Sequence, residues 1–233
     1  MSISLPVELD AIAEELDYER GRLIYEGAGG NEVRRSILPG GVRVITEKMP
    51  GTRGVSIGFW VGVGSRDEAP GMLGSTHFLE HLLFKGTGTR TALDIASSFD
   101  AVGGESNALT AKEHTCYYAR VLDDDAPMAV DVITDMVTNA LLDPAHLEQE
   151  RGVILEEIAM DQDDPTDVAF ENFVEQLMGA NPLGRPIGGT PEEIQAVPRD
   201  AVWEHYKRYY TPDRLVISAA GSLEHSTMVR LVL

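Results

Sequence analysis

What this sequence lacks narrows its class before any motif is considered. Cysteine occurs once, at Cys116, so no internal disulfide can form, and the expectation is a buried, inert thiol in a strand and a reducing compartment. No run of 18 or more apolar residues is present, which leaves nothing able to cross a bilayer as a helix. Basic residues are scarce, 19 Lys and Arg against 38 Asp and Glu, and the formal net charge is −19. That balance argues against nucleic acid or an anionic membrane surface as partner and suits a basic one. The N-terminal segment has neither the apolar core of a signal peptide nor the Arg-rich, acid-poor character of a transit peptide, which points to a bacterial cytoplasm. With 43% hydrophobic residues over 233 positions, the chain can still bury a substantial core.

What is present centres on residues 73–85, LGSTHFLEHLLFK. At helical spacing His77, Glu80, His81 and Phe84 fall on one face, while Phe78, Leu79, Leu82 and Leu83 point into a core. Two imidazoles four residues apart on a rigid helix can both reach one divalent ion, and the pattern H-x-x-E-H is the inverse of H-E-x-x-H. Zinc would make its bound water acidic, and Glu80 would stand ready to take the proton as that water attacks a carbonyl. A third protein ligand is required. The helical stretch 147–161, LEQERGVILEEIAMD, puts Glu150, Val153, Ile154 and Glu157 on one face. Carboxylates beside Val and Ile point inward, where they need a cation or a donor. Glu157 is the expected ligand, with Glu156 on a more solvated face as its competitor. Glu150 is the expected hydrogen-bond partner that orients a ligating histidine.

Four separated stretches, HFLEHLLFKGT, GGESNALTAKEHTCYY, ERGVILEEI and PLGRPIGGTPEEI, resemble in order and spacing those of the M16 metallopeptidases. That group includes mitochondrial processing peptidase and its bacterial relatives, with insulysin and pitrilysin more distant. The resemblance implies a zinc endopeptidase whose third ligand is a downstream Glu, matching Glu157. It implies that an extended peptide adds itself to the edge strand carrying Asn107 and Ala108, and that Phe84 receives the side chain just after the scissile bond. Asp167 and Glu171 stand at i and i+4, where two carboxylates repel and would welcome a cation between them. Their positions resemble those with which processing peptidases hold a basic residue of the substrate.

The fold expected is α+β, a mixed, mainly antiparallel sheet flanked by helices as in an M16 half-subunit. Residues 1–30 read as an acidic extension, with an amphipathic helix over 9–23 and a flexible link at 27–30, and the catalytic domain as 31–233. Strands are expected at 32–38, 42–48, 54–63, 105–110, 114–121 and 214–220. Helices are expected from Ser75 or Thr76 and over 91–102, 125–139, from Pro144, from about Pro165, 198–210 and 224–233. His114 is expected to be a hydrogen-bonded strand-end residue rather than a ligand, and His146, His205 and His225 have no assigned role. M16 subunits consist of two similar halves, so the resemblance implies a chain that stops before the second one. It also implies a second domain or subunit as partner, in a homodimer or heterodimer. The alternatives to an enzyme are a zinc- and peptide-binding half that does not cut alone and a structural subunit.

Overall fold

The computed structural model describes residues 17–233. Its seven strands are β1 (Arg22–Glu26), β2 (Glu32–Ile37), β3 (Arg43–Lys48), β4 (Gly54–Val61), β5 (Glu105–Thr110), β6 (Thr115–Leu122) and β7 (Leu215–Gly221). They form one sheet in the order β1-β2-β3-β7-β4-β6-β5, with β3 and β7 parallel and every other pair antiparallel. The period-2 pattern of β4 explains its central place: Val55, Ile57, Phe59 and Val61 are buried, while Ser56 and Trp60 face outward. Register carries that layer across the sheet, since Phe59 lies opposite both Tyr117 and Ile217. Each such aliphatic or aromatic side chain contributes about 1.5–3 kcal/mol by leaving water.

Eight α-helices complete the described residues: α1 (Ser75–Leu83), α2 (Ala92–Asp100), α3 (Ala126–Asn139), α4 (Pro144–Asp163), α5 (Pro165–Met178), α6 (Pro191–Ala196), α7 (Arg199–Tyr209) and α8 (His225–Val232). Helix α3 packs on β4 and β6, α8 on β3, and α1 against α4, α7 and β5. The α+β architecture expected from the sequence is therefore present, and no helix among the described residues is long and apolar enough to cross a membrane.

Several local expectations are corrected. The sheet starts at β1, before the expected boundary at Asn31. Residues 27–30 are not a loose link but the turn of a β1–β2 hairpin, closed by Gly27 N donating to Asn31 O at 2.8 Å. The helix expected over 9–23 falls mostly outside the described residues, and its last part is a turn leading into β1. The short helix α6 went unanticipated because six residues carry too little periodicity. Helix α1 begins at Ser75 as expected, but its N-cap is Gly74 and not a Ser or Thr, and Val153 is exposed although Ile154 beside it is buried. His205 and His225, to which the sequence assigned no role, are both buried. His205 sits 3.1 Å from the Thr76 hydroxyl, and His225 lies 2.8 Å from each of the Ser36 and Thr46 hydroxyls. Cys116 is buried in β6 as expected, its thiol pushed up to about 12 by burial.

Candidate metal centre

Helix α1 is amphipathic in the way its spacing requires. Phe78, Leu79, Leu82 and Leu83 are buried, and His77, Glu80, His81 and Phe84 turn toward a cleft of about 1460 Å³. Helix α4 runs alongside, started by Asp143, whose carboxylate accepts from Ala145 N at 2.7 Å, and by Pro144 in its first turn. Arg151 fastens α4 by donating to the carbonyls of Ile194 and Val197. Its guanidinium also lies 5.4 Å from the centre of the Phe78 ring.

This packing brings three donors together. His77 Nε2 and His81 Nε2 are 3.2 Å apart, and Glu157 Oε2 lies 3.4 Å from His81 Nε2 and 3.8 Å from His77 Nε2. Ligands at 2.0–2.1 Å from a tetrahedral zinc are separated from one another by about 3.3 Å. Two imidazoles and a carboxylate at these separations fit such an ion. Burial, with the neighbouring His81, lowers His77 to about 4, so the imidazole is neutral with a lone pair to offer. Glu156, the competing carboxylate, faces solvent.

The surroundings orient these donors. His81 Nδ1 and Glu150 Oε2 are 3.1 Å apart, and the other oxygen of Glu150 accepts from Lys85 Nζ at 2.8 Å. Glu150 is only 2% exposed, so Lys85 supplies the charge that its burial demands. An Nδ1–H of His81 donating to that carboxylate leaves the Nε2 lone pair available to a metal. Glu80 accepts a hydrogen bond from the Thr110 hydroxyl at the end of β5. Its carboxyl is raised by burial, an effect that the Thr110 bond partly offsets.

The remaining candidates line the same cleft, except where noted. Phe84 closes α1 and packs on Tyr117, ring centroids 6.2 Å apart. Asn107 lies on the edge strand β5 at the cleft wall, and its Oδ1 accepts from Ala108 N at 2.8 Å; Ala108, half-buried, is packed against the core rather than lining the cleft. Asp167 and Glu171 are exposed on α5 across the cleft. Burial raises the Glu171 carboxyl, Lys112 opposes that, and Asp161, Asp167 and Glu175 add to it. His114 instead stacks beside Trp60, ring centroids 5.5 Å apart, and belongs to no metal cluster among the described residues.

Three participants escaped the sequence reading. Lys85 was legible in principle, four residues after His81 on the same face. Thr110 had only its place at a strand end. Glu68 had no local signal at all: its two carboxylate oxygens accept from Gly74 N at 2.8 Å and Thr76 N at 2.7 Å, six and eight residues away.

Comparison with known proteins bears on this arrangement. The family model for insulinase (peptidase family M16) matches residues 43–191. A zinc protease of Streptomyces coelicolor is 51% identical over 91% of this chain and 47% of its own length. A probable mitochondrial-processing peptidase subunit beta of Arabidopsis thaliana is 35% identical over 86% of this chain and 38% of its own length. The crystal structure of a protease from Helicobacter pylori superposes with a TM-score of 0.83 at 22% identity, covering 86% of this chain and 49% of that one. This last likeness speaks for the fold alone. The chain spans about half the length of the curated relatives it matches. On the family match, which takes in the H-x-x-E-H helix and Glu157, the chain belongs to the M16 peptidase family.

Proposed function

We propose that the chain is the catalytic half of a zinc-dependent endopeptidase acting on extended peptides or flexible protein segments. The observation that carries this reading is the convergence of His77, His81 and Glu157 beside Glu80 in a cleft walled by an edge strand. Zinc held by those three side chains supplies Lewis acidity toward the scissile carbonyl and toward water. Glu80 takes a proton from the attacking water and passes it to the amine nitrogen as the C–N bond breaks. Thr110 keeps the Glu80 carboxylate aimed, and Glu150 with Lys85 keeps His81 in its ligating tautomer.

Substrate positioning falls to the cleft walls. The backbone of β5 at Asn107 and Ala108 pairs with the peptide as an added strand, which gives affinity without dependence on sequence. Phe84 offers an apolar surface to the residue after the scissile bond. Asp167 and Glu171 attract a basic side chain across the cleft, as the acidic balance of the chain favours. A second M16-type domain or subunit completes the enclosure, a reading supported by relatives about twice this length.

The test is paired substitution on the zinc-loaded protein with a basic, extended peptide as substrate. Glu80→Gln removes cleavage and leaves zinc bound, whereas Glu157→Gln weakens zinc retention by more than the roughly 10–100-fold typical of losing a group that only orients a ligand. A Glu80→Gln protein cutting at the normal rate would overturn the assignment of the base. Zinc bound without any cutting by the unmodified chain would place catalysis in the assembled pair of domains.

A further inference from the structure

Glycine stands where helix α1 would ordinarily carry a capping side chain. Gly74 is the N-cap, in the left-handed region at φ 86°, and no side chain of its own closes the first turn. A Ser or Asp could not substitute, because a Cβ at Gly74 would stand 2.6 Å from the Gly188 carbonyl oxygen and 2.4 Å from Ile194 Cδ1. The open backbone donors of that turn are satisfied from elsewhere. Glu68, 4% exposed, reaches in from the preceding loop and accepts from both Gly74 N and Thr76 N.

Glu68 is itself held. Its backbone carbonyl accepts from Arg185 at 3.0 Å, and the Arg185 carbonyl accepts from Lys112, a residue of the cleft wall. The Arg185 loop continues to Gly188 and Gly189. A Cβ on Gly189 would meet the Leu73 carbonyl oxygen at 2.6 Å, so this loop lies directly on the start of α1. Glu68 thus joins three segments: its carboxylate ties the 64–68 loop to the turn that ends in His77, and its backbone carbonyl ties that loop to the glycine loop through Arg185.

We propose that Glu68 is a positioning residue for the metal centre, an external cap that sets where the first turn of α1, and therefore His77, stands relative to His81 and Glu157. The inference rests on the zinc reading above. Its physical basis is tolerance: a zinc site accepts ligand positions within about 0.2 Å. His77 follows immediately on the bonded Thr76 amide, while His81 has its own restraint in Glu150. Removing the Glu68 carboxylate therefore disturbs one ligand of three rather than the whole fold.

Glu68→Gln tests this with little change of shape, because the amide nitrogen presents a donor to a backbone donor and one of the two bonds is lost. Three readouts belong together: zinc affinity by chelator competition, the visible spectrum of the cobalt-substituted protein, and amide exchange at Gly74 and Thr76 in the metal-free protein. Val229→Ala in α8, destabilising but remote, serves as the stability control. The expected result is about tenfold weaker zinc binding, an altered cobalt spectrum, and about tenfold faster exchange at those two amides, none of which the control reproduces. Wild-type zinc affinity and cobalt spectrum in Glu68→Gln would overturn the proposal, as would the same changes in the control. If the unmodified chain binds no zinc, the functional reading fails. The exchange measurement then still decides whether Glu68 holds the turn.

Discussion

At the scale of single residues, half-buried and buried histidines serve different ends in this molecule. His77 and His81 present lone pairs to one point, whereas His225 is walled between two hydroxyls with no metal partner among the described residues. Burial, with a smaller effect from Arg34, lowers His225 to about 4, against about 6.5 in the unfolded chain. Between those values the unfolded chain binds a proton that the folded site refuses. Stability is therefore full above about pH 6.5 and falls as the pH drops toward 4. His225→Gln should flatten the dependence of metal-free protein stability on pH across this window, by on the order of 2 kcal/mol. Urea denaturation at pH 7 and pH 4.5 checks it, and an unchanged slope would remove His225 as a source.

At the scale of elements, the segment leaving α1 is tied down as firmly as the one entering it. Asp135, 8% exposed on α3, accepts from Thr87 at 2.5 Å, Thr89 at 2.8 Å, Arg90 at 2.6 Å and, on its other oxygen, Asn139 at 3.0 Å. Despite burial, those bonds hold its carboxyl down to about 2. Asp135→Ala leaves several donors without an acceptor in a largely buried place, and it should lower stability by about 2–4 kcal/mol. Equilibrium unfolding measures this, and a loss under about 0.5 kcal/mol would show the network to be dispensable. Helix α5 behaves differently. None of its residues is buried, and Phe170, Phe173 and Leu177 are exposed, so α4 and the 182–184 turn are what hold it to the rest.

At the scale of the whole molecule, charge matters most. A net charge of −19 around a cleft lined by Glu80, Glu157, Asp161, Asp167 and Glu171 draws cations from beyond contact distance, and salt screens that pull. For a peptide bearing Lys or Arg, KM should rise several-fold between about 50 and about 300 mM salt with kcat little changed. A KM independent of salt would leave the acidic wall without a part in binding.

The sequence by itself determined whatever depends on neighbours along the chain. His77, Glu80 and His81 share a face because 3.6 residues make a turn, and β4 buries alternate residues because a strand has period 2. The long glutamate helix and the buried strand position of Cys116 were legible for the same reason. Only the tertiary structure decided what depends on distance through space. It brought Glu157 and not Glu156 beside His77 and His81 by the way α4 lies against α1, and it brought Thr110 to Glu80 from the end of β5. It gave Glu150 its cation in Lys85 and capped α1 with Glu68. It also recruited β1, a short and largely exposed segment, into the sheet through its pairing with β2. Local periodicity is written in consecutive residues, whereas a buried charge reveals its partner only after the chain has folded around it.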